Sequence, residues 1–222
     1  MYKRKPLFVT FEGIEGSGKS YQCQKLFNKV KRKNLPVILT REPGGTKSAE
    51  KIRKVILEDY FASDSKEEFS KYTDTLLYLA ARNEHVQNII KPAISKKKIV
   101  ICDRFIDSTM AYQVFGKGVS KTLVDSIHKF ILGNTKPDLT FVLKVNISKA
   151  LQRLKKRKKK NRYDKFSKNF YISVQNAFIK IAKRSPKKYC IVDNSKDSVE
   201  TENIIFNKFI QFLNKWIRKV KI

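Results

Sequence analysis

The segment 13–20 constrains this chain more than any other part of its sequence. Its letters, GIEGSGKS, match the pattern G-x-x-x-x-G-K-[ST] in full, and it lies between a short apolar run and a predicted helix. In that context the pattern is typical of a phosphate-binding loop, because glycine lets backbone N–H groups turn toward one point beside a helix N-terminus. We therefore predict a nucleotide site, with Lys19 at the β- and γ-phosphates and Ser20 on Mg²⁺. The predicted loop residues are Gly13, Ile14, Glu15, Gly16, Ser17, Gly18, Lys19 and Ser20.

The rest of the chain alternates short apolar runs with helical stretches. Strands are predicted over 7–11, 37–40, 99–102, 139–143 and 189–192. Helices are predicted over 19–33, 48–57, 72–90, 120–132, 148–157, 167–184 and 199–219. Apolar strands that alternate with helices are typical of a parallel sheet covered on both faces. We predict a doubly wound α/β fold with five parallel strands, as a single domain over 1–222, with ligands beyond the carboxyl ends of the strands.

Net charge is the unusual feature of the composition. Lysine and arginine number 49 against 20 acidic residues, which leaves a charge of +29. Such a balance attracts polyanions without specificity. The basic residues are spread along the chain, with one dense run at 155–160, so we interpret them as solvated surface charge. Any binding of nucleic acid is therefore expected to be non-specific.

Cysteine usage and hydropathy bear on the compartment. The cysteines Cys23, Cys102 and Cys190 are widely spaced and form no C-x-x-C pair. Free thiols in a reducing cytoplasm are therefore expected, without a cysteine zinc site. No apolar run approaches the ~18 residues that cross a bilayer. The basic opening of the chain is not followed by the apolar stretch of a secretory signal, so none is expected.

A phosphate loop alone does not separate kinases, GTPases, ATPases and motors. The guanine motif Asn-Lys-x-Asp of G-proteins is absent from the sequence, and a motor would be longer. A small kinase therefore remains, and its acceptor has to be bound by other residues. Three strings with polar residues could bind it. TREPGGT at 40–46 and DRFIDSTMAYQ at 103–113 lie at the ends of predicted strands, and YLAAR at 78–82 lies on a predicted helix.

With these strings the sequence resembles the thymidylate kinase family, whose members phosphorylate dTMP with ATP. The resemblance runs over about 7–183, and TREPGGT together with D-R-[FYH]-x-x-S-T-x-A-Y-Q is highly specific. It implies a fold of the phosphate-loop kinase type with a lid segment at about 153–165. It also implies ATP and Mg²⁺ as cofactors, dTMP as substrate, and a homodimer formed through helices beside 72–90.

The resemblance assigns roles to the acceptor residues. Arg41 and Arg104 are implied to hold the phosphate of dTMP, for which a guanidinium fork is suited. Tyr78 is implied to stack on thymine, at a position that is usually Phe, and Arg82 to donate to the thymine O4. The other implied contacts with the acceptor come from Glu15 near the 3′-hydroxyl, Ser108 and Thr109 at the base edge, Tyr112 at the 2′ position of the sugar, and Gln113 at the base or sugar.

Charge neutralisation during phosphoryl transfer is the role assigned to the lid. Lys19 is the only cation of the loop, and phosphoryl transfer usually needs a mobile guanidinium as well. Family members without a loop arginine resemble this arrangement and supply one from the lid, which suggests Arg157 or Arg162. The predicted catalytic residues are thus Lys19, Asp103, Arg104, Arg157 and Arg162, and the predicted metal-binding residues are Ser20 and Asp103.

The sequence departs from the family pattern at three places. Tyr21 replaces the usual Thr, NRYD at 161–164 replaces the commoner Asp-Arg-x-Glu, and VQNAF at 174–178 replaces a basic-acidic string. His85 has no carboxylate at helical spacing, and both His85 and His128 are expected to be structural. Two alternatives remain at this level, namely a nucleoside monophosphate kinase for another base and a nucleic-acid-binding phosphate-loop ATPase.

Overall fold

A computed structural model describes residues 6–58, 68–157, 161–196 and 199–218. Its five strands are β1 (Leu7–Glu12), β2 (Val37–Arg41), β3 (Ile99–Asp103), β4 (Leu139–Lys144) and β5 (Tyr189–Asp193). They form one parallel sheet in the order β2-β3-β1-β4-β5. The predicted doubly wound five-stranded fold is therefore confirmed.

The helices follow the predicted stretches closely. They are α1 (Lys19–Lys31), α2 (Lys47–Leu57), α3 (Lys71–His85), α4 (Lys91–Ser95), α5 (Ile106–Thr109), α6 (Lys121–Leu132), α7 (Ile147–Lys155), α8 (Lys168–Lys183) and α9 (Val199–Arg218). Five of them begin where a short polar side chain accepts a hydrogen bond from the N–H three residues on, which is the usual N-cap. These caps are Thr46, Ser70, Ser120, Asn146 and Ser167.

Two π-helical turns were not expected from the sequence pattern. The turn Val86–Ile90 joins α3 to α4, so the helix predicted to end at 90 continues to Ser95. Pro92 does not end it, because it lies in the first turn of α4, where a missing N–H is tolerated. The second turn, Met110–Gly116, extends α5 and carries part of the DRFIDSTMAYQ string.

Helices cover both faces of the sheet. On one face Leu7, Val9 and Phe11 of β1 pack against α1 and α9, and on the other Phe8 packs against α3, α4 and α6. This alternation follows from the period of two of a β-strand. No helix of the described residues is long and apolar enough to span a bilayer.

The register of the strands brings the predicted site together. Asp103 at the end of β3 lies level with Phe11 of β1 and with Arg41 of β2. The loops that follow these three strands therefore start at one edge of the sheet, which is where ligands bind in open α/β folds.

Candidate active site

The phosphate loop closes around its own lysine. Lys19 Nζ donates to the carbonyl of Ile14 at 2.6 Å and to Ser17 Oγ at 3.3 Å, and the side chain is almost fully buried. Burial and the nearby charge of Arg104 lower the pKa of Lys19 to about 8. The ammonium is therefore mostly protonated at neutral pH, and it lies within the loop that would surround phosphate oxygens.

The loop is held from outside by two elements that the sequence pattern did not connect to it. Arg153 of α7 donates to the carbonyl of Gly16 at 2.9 Å, and the buried Asn194 donates to that of Ser17 at 2.7 Å. Gly16 has φ +72°, and a Cβ there would lie 2.5 Å from the carbonyl oxygen of Ala150. Only glycine allows α7 to approach the loop so closely.

Ser20 and Asp103, the predicted metal-binding pair, are in contact. The Ser20 hydroxyl donates to Asp103 Oδ2, while Asp103 Oδ1 is buried without a hydrogen-bond partner among the described groups. A hydroxyl and a carboxylate are the hard oxygen ligands that Mg²⁺ prefers, and this ion usually keeps several waters and phosphate oxygens as well. The described residues contain no cluster of three His, Cys, Asp or Glu side chains that could hold a metal by itself. The pair therefore fits Mg²⁺ bound together with a nucleotide.

Arg104 connects the phosphate loop to the acceptor string. Its guanidinium donates to the Gly13 carbonyl at 2.9 Å, to Ser108 Oγ at 3.0 Å and to Glu15 Oε1 at 2.8 Å, and it lies 5.3 Å from the centre of the Tyr112 ring. Burial opposes the charge, but the Glu15 carboxylate holds the pKa of Arg104 above its ordinary value. The residue has φ +69°, which costs a non-glycine residue on the order of 1–3 kcal/mol. Such local strain is characteristic of functional sites.

Glu12 is a site residue that the sequence pattern did not single out. It is fully buried at the end of β1, accepts from the Phe105 N–H at 2.8 Å and accepts from Ser108 Oγ at 2.6 Å. Burial and the charge of Asp107 raise the pKa of Glu12 to about 7. The signal available in the sequence was a carboxylate at the end of an otherwise apolar strand, directly before the first loop glycine.

Arg82 is held by a buried network rather than by neighbours on its own helix. It donates to Glu42 Oε2 at 2.7 Å, to Thr109 Oγ1 at 2.8 Å and to the Phe105 carbonyl at 2.9 Å. It also contacts His128 Nε2 at 2.6 Å. Burial and the charge of Arg82 lower the pKa of His128 to about 3, so this histidine is neutral and accepts from the guanidinium.

Neither histidine lines the cavity, and His85 does have a carboxylate partner. His85 Nδ1 lies 3.0 Å from Glu42 Oε1, and its Nε2 lies 2.6 Å from Thr40 Oγ1. Glu42 belongs to the TREPGGT string and lies 43 residues from His85. Helical spacing could not reveal this pair, because the tertiary fold brings the two elements together.

One cavity of about 290 Å³ joins the phosphate loop to the acceptor strings. Most of the predicted site residues line it: Glu15, Gly16, Gly18, Lys19, Ser20, Arg41, Tyr78, Arg82, Asp103, Arg104, Ser108, Thr109, Tyr112, Gln113 and Arg157. Gly13, Ile14 and Ser17 contribute to the loop without lining the cavity. The lining also includes residues to which no role was assigned from the sequence: Tyr21, Glu42, Pro43, Arg53, Leu57, Asn161 and Tyr163.

Two polar side chains of the cavity have donors suited to a ligand. Arg41 is more than half exposed, and one of its nitrogens lies 3.1 Å from both carboxylate oxygens of Glu50. Gln113 is almost fully buried, and its Nε2 has no hydrogen-bond partner among the described groups. Arg53, which donates to the Pro43 carbonyl at 2.6 Å, adds a further guanidinium near Arg41 that no sequence signal indicated.

The structure separates the two candidate lid arginines. Arg157 lines the cavity, whereas Arg162 does not. Arg162 is paired with the buried carboxylate of Asp74 on α3 and contacts the Tyr163 hydroxyl. Arg162 is thus not brought to the phosphate loop, because a buried carboxylate holds it elsewhere. The lysines 158–160 of the predicted lid lie outside the described residues.

The sheet, the phosphate loop and the adjoining cavity are those of a phosphate-loop kinase. Residues 11–205 match the family model described as thymidylate kinase. The chain is 39% identical to the thymidylate kinase of Mycoplasma capricolum, with 89% of this chain and 91% of the relative covered. It is 42% identical to that of Wolbachia pipientis, with 89% and 93% covered. The chain belongs to the thymidylate kinase family.

A solved structure extends the similarity to three dimensions. The crystal structure of thymidylate kinase from Ehrlichia chaffeensis matches this chain with a TM-score of 0.72 and 33% sequence identity. The match covers 94% of this chain and 99% of that one. The similarity therefore extends over nearly the whole length of both chains.

Proposed function

We infer that this chain transfers the γ-phosphoryl group of ATP to dTMP, giving ADP and dTDP. The observation that carries the proposal is that a phosphate loop and the acceptor strings line the same cavity. Family membership supports the choice of substrates. In this arrangement the protein acts by positioning both substrates and neutralising charge, with direct in-line transfer and no covalent intermediate.

At the donor end, the loop amides and Lys19 would bind the phosphates of ATP. Ser20 and Asp103 would hold Mg²⁺, which neutralises negative charge on the phosphate oxygens. Asp103 Oδ1 is buried and has no hydrogen-bond partner within the described part of the chain, which supports this assignment, since a buried carboxylate oxygen normally has one. Arg157, which lines the cavity, would face the transferring group.

At the acceptor end, Arg41 and Arg104 would bind the phosphate of dTMP. The Arg41 side chain is exposed enough to turn from Glu50 to a ligand. The Arg104 guanidinium is already oriented by its hydrogen bonds to the Gly13 carbonyl and the Glu15 carboxylate. Guanidinium groups suit this task because they bind phosphate in a bidentate manner.

The nucleoside would lie against the aromatic and polar side chains of the same cavity. Tyr78 would stack on the base, and Tyr112 with Glu15 would lie at the sugar. Gln113 supports a base contact, since its buried Nε2 can donate to a ligand carbonyl. Ser108 and Thr109 would lie at the edge of the thymine ring, and Arg82 would donate to the same edge. The guanidinium N–H groups of Arg82 that now donate to Glu42 and Thr109 would then be shared with the base.

An acceptor panel tests this proposal. With MgATP, dTMP is expected to be the best acceptor, dUMP weaker, and CMP, AMP and GMP near background in a coupled ADP-release assay. The loss for dUMP is expected to be about tenfold or more in kcat/KM, since one methyl group in an apolar site is worth that much. Comparable activity on CMP or AMP would contradict the base assignment. Nucleotide hydrolysis without any acceptor would instead favour an ATPase.

We also propose that residues 1–222 act as one kinase domain and that two copies associate through α3 and α6. These helices pack against each other and present exposed apolar side chains, Leu76 on α3 and Leu123 and Phe130 on α6. Phe130 is 88% exposed, which is unusual for a large aromatic residue outside an interface.

Sedimentation equilibrium tests the dimer. The unmodified chain is expected at twice its mass of 25.9 kDa, and Phe130→Asp is expected to shift it toward the monomer because a charge would be buried at the interface. A monomer at micromolar concentration of the unmodified chain would contradict the proposal.

A further inference from the structure

Asp74 is a fully buried carboxylate outside the cavity lining, yet it has three partners from two other parts of the chain. Lys117 Nζ lies 2.7 Å from Asp74 Oδ2, and the Tyr163 hydroxyl lies 3.0 and 3.2 Å from its two oxygens. Arg162 is paired with Asp74 Oδ1. A buried carboxylate is tolerated only when it is paired and hydrogen-bonded in this way. Both oxygens of Asp74 are therefore used to hold neighbouring side chains.

Tyr163 transmits this anchoring to the cavity. Its ring is almost fully buried and lines the cavity, with its centre 6.1 Å from that of Tyr78 and 6.3 Å from that of Tyr112, both in edge-to-face geometry. The Tyr163 carbonyl accepts a hydrogen bond from the Tyr171 hydroxyl at 2.5 Å. Tyr163 thus lies where the side chains proposed for base and sugar meet.

We propose that Asp74 is a positioning residue for the acceptor subsite, and that Tyr163, held by Asp74, is the wall of that subsite against which Tyr78 and Tyr112 are fixed. The proposal rests on the function proposed above, since it places the acceptor at this end of the cavity. Because Tyr163 already holds the rings of Tyr78 and Tyr112 in place, less conformational entropy is lost when the acceptor binds. We call Asp74 and the Tyr163 hydroxyl that it holds the anchor. Arg162 belongs to it as well, because its guanidinium pairs with the same carboxylate.

Two substitutions test the anchor separately. Tyr163→Phe keeps the ring and removes the hydroxyl that Asp74 holds, and Asp74→Ala removes the carboxylate. Asp125→Ala is the matched control, because its carboxylate pairs with Lys121 on an exposed helix surface. Initial rates are measured with dTMP varied at saturating MgATP, and then with MgATP varied at saturating dTMP.

The expected result is a selective effect on the acceptor. In both variants the KM for dTMP rises about tenfold, as for a lost hydrogen bond to a charged group. The KM for ATP and kcat stay within about twofold of the unmodified chain, since the anchor touches no donor residue. Asp125→Ala leaves all three parameters unchanged. In the double variant the rise in the KM for dTMP is smaller than the product of the two single effects, because the hydroxyl acts through the carboxylate.

Three outcomes would overturn the anchor. These are an unchanged KM for dTMP in Tyr163→Phe, a fall in kcat at constant KM for dTMP, and an equal loss in both KM values with a lowered melting temperature. If Asp74→Ala does not fold, Tyr163→Phe decides the question by the same criteria. Absence of dTMP phosphorylation by the unmodified chain would instead count against the proposed function.

Discussion

Arg157→Met is expected to lower kcat about 1000-fold, the loss typical when a guanidinium that stabilises a phosphoryl-transfer transition state is removed. Arg157 lines the cavity that adjoins the phosphate loop, and Lys19 is the only cation of that loop. The KM for dTMP should change little, because a contact that forms mainly in the transition state affects kcat rather than acceptor binding. Steady-state rates with dTMP and MgATP measure both values.

Arg162→Met is the matched control for this prediction. The same substitution five residues further along the chain removes a guanidinium that pairs with Asp74 rather than lining the cavity. It is expected to raise the KM for dTMP and to leave kcat nearly intact. Full kcat in Arg157→Met would show that charge on the transferring group is neutralised elsewhere, and a 1000-fold loss in Arg162→Met would reverse the two assignments.

Glu42→Gln is expected to lower the free energy of unfolding by about 3 kcal/mol, the cost of removing one partner of a buried ion pair. Both Glu42 and Arg82 are almost fully buried, and the same carboxylate accepts from His85. For a chain of this size the melting temperature should fall by roughly 6–12 °C. Urea denaturation followed by circular dichroism measures the change.

Glu50→Gln is the control, since Glu50 also pairs with an arginine but is 39% exposed. Its expected cost is about 1 kcal/mol or less, as for surface ion pairs. Equal losses in the two variants would mean that burial of the Glu42–Arg82 pair contributes no extra stability.

The pH dependence of this pair has a definite sign. Burial alone would raise the pKa of Glu42, but the charge of Arg82 and the hydrogen bond from His85 lower it below the ordinary value of 4.5. Its stabilisation is therefore complete above about pH 4.5 and is lost as the pH falls through the lower value of the folded protein. Glu42→Gln should remove this part of the acid sensitivity.

The strands and helices were predictable because their signals are local. The strand at 99–102 is a continuous apolar run that the structure buries as β3, and the phosphate loop follows from eight consecutive letters. The strings at the ends of β2 and β3 could be placed together because carboxyl ends of neighbouring parallel strands share one edge. In the structure Arg41 at the end of β2 lies level with Asp103 at the end of β3, as this rule predicts.

The residues that were missed depend on contacts distant in sequence. The sequence indicates Glu42 only as a member of the TREPGGT string. Its partners Arg82 and His85 lie 40 and 43 residues away. Arg53 has no motif around it and reaches the cavity because α2 packs there.

By itself the sequence determined the α/β fold, the nucleotide loop and most of the residues around the acceptor cavity. Only the tertiary structure decided where the two lid arginines lie, with Arg157 lining the cavity and Arg162 paired with Asp74. Arg157 and Arg162 look equivalent as cations of one basic segment, but Arg162 meets Asp74, 88 residues earlier in the chain. A buried carboxylate must be paired, and the cation that pairs with it is chosen by the packing of α3 against the segment, which no spacing along the chain records.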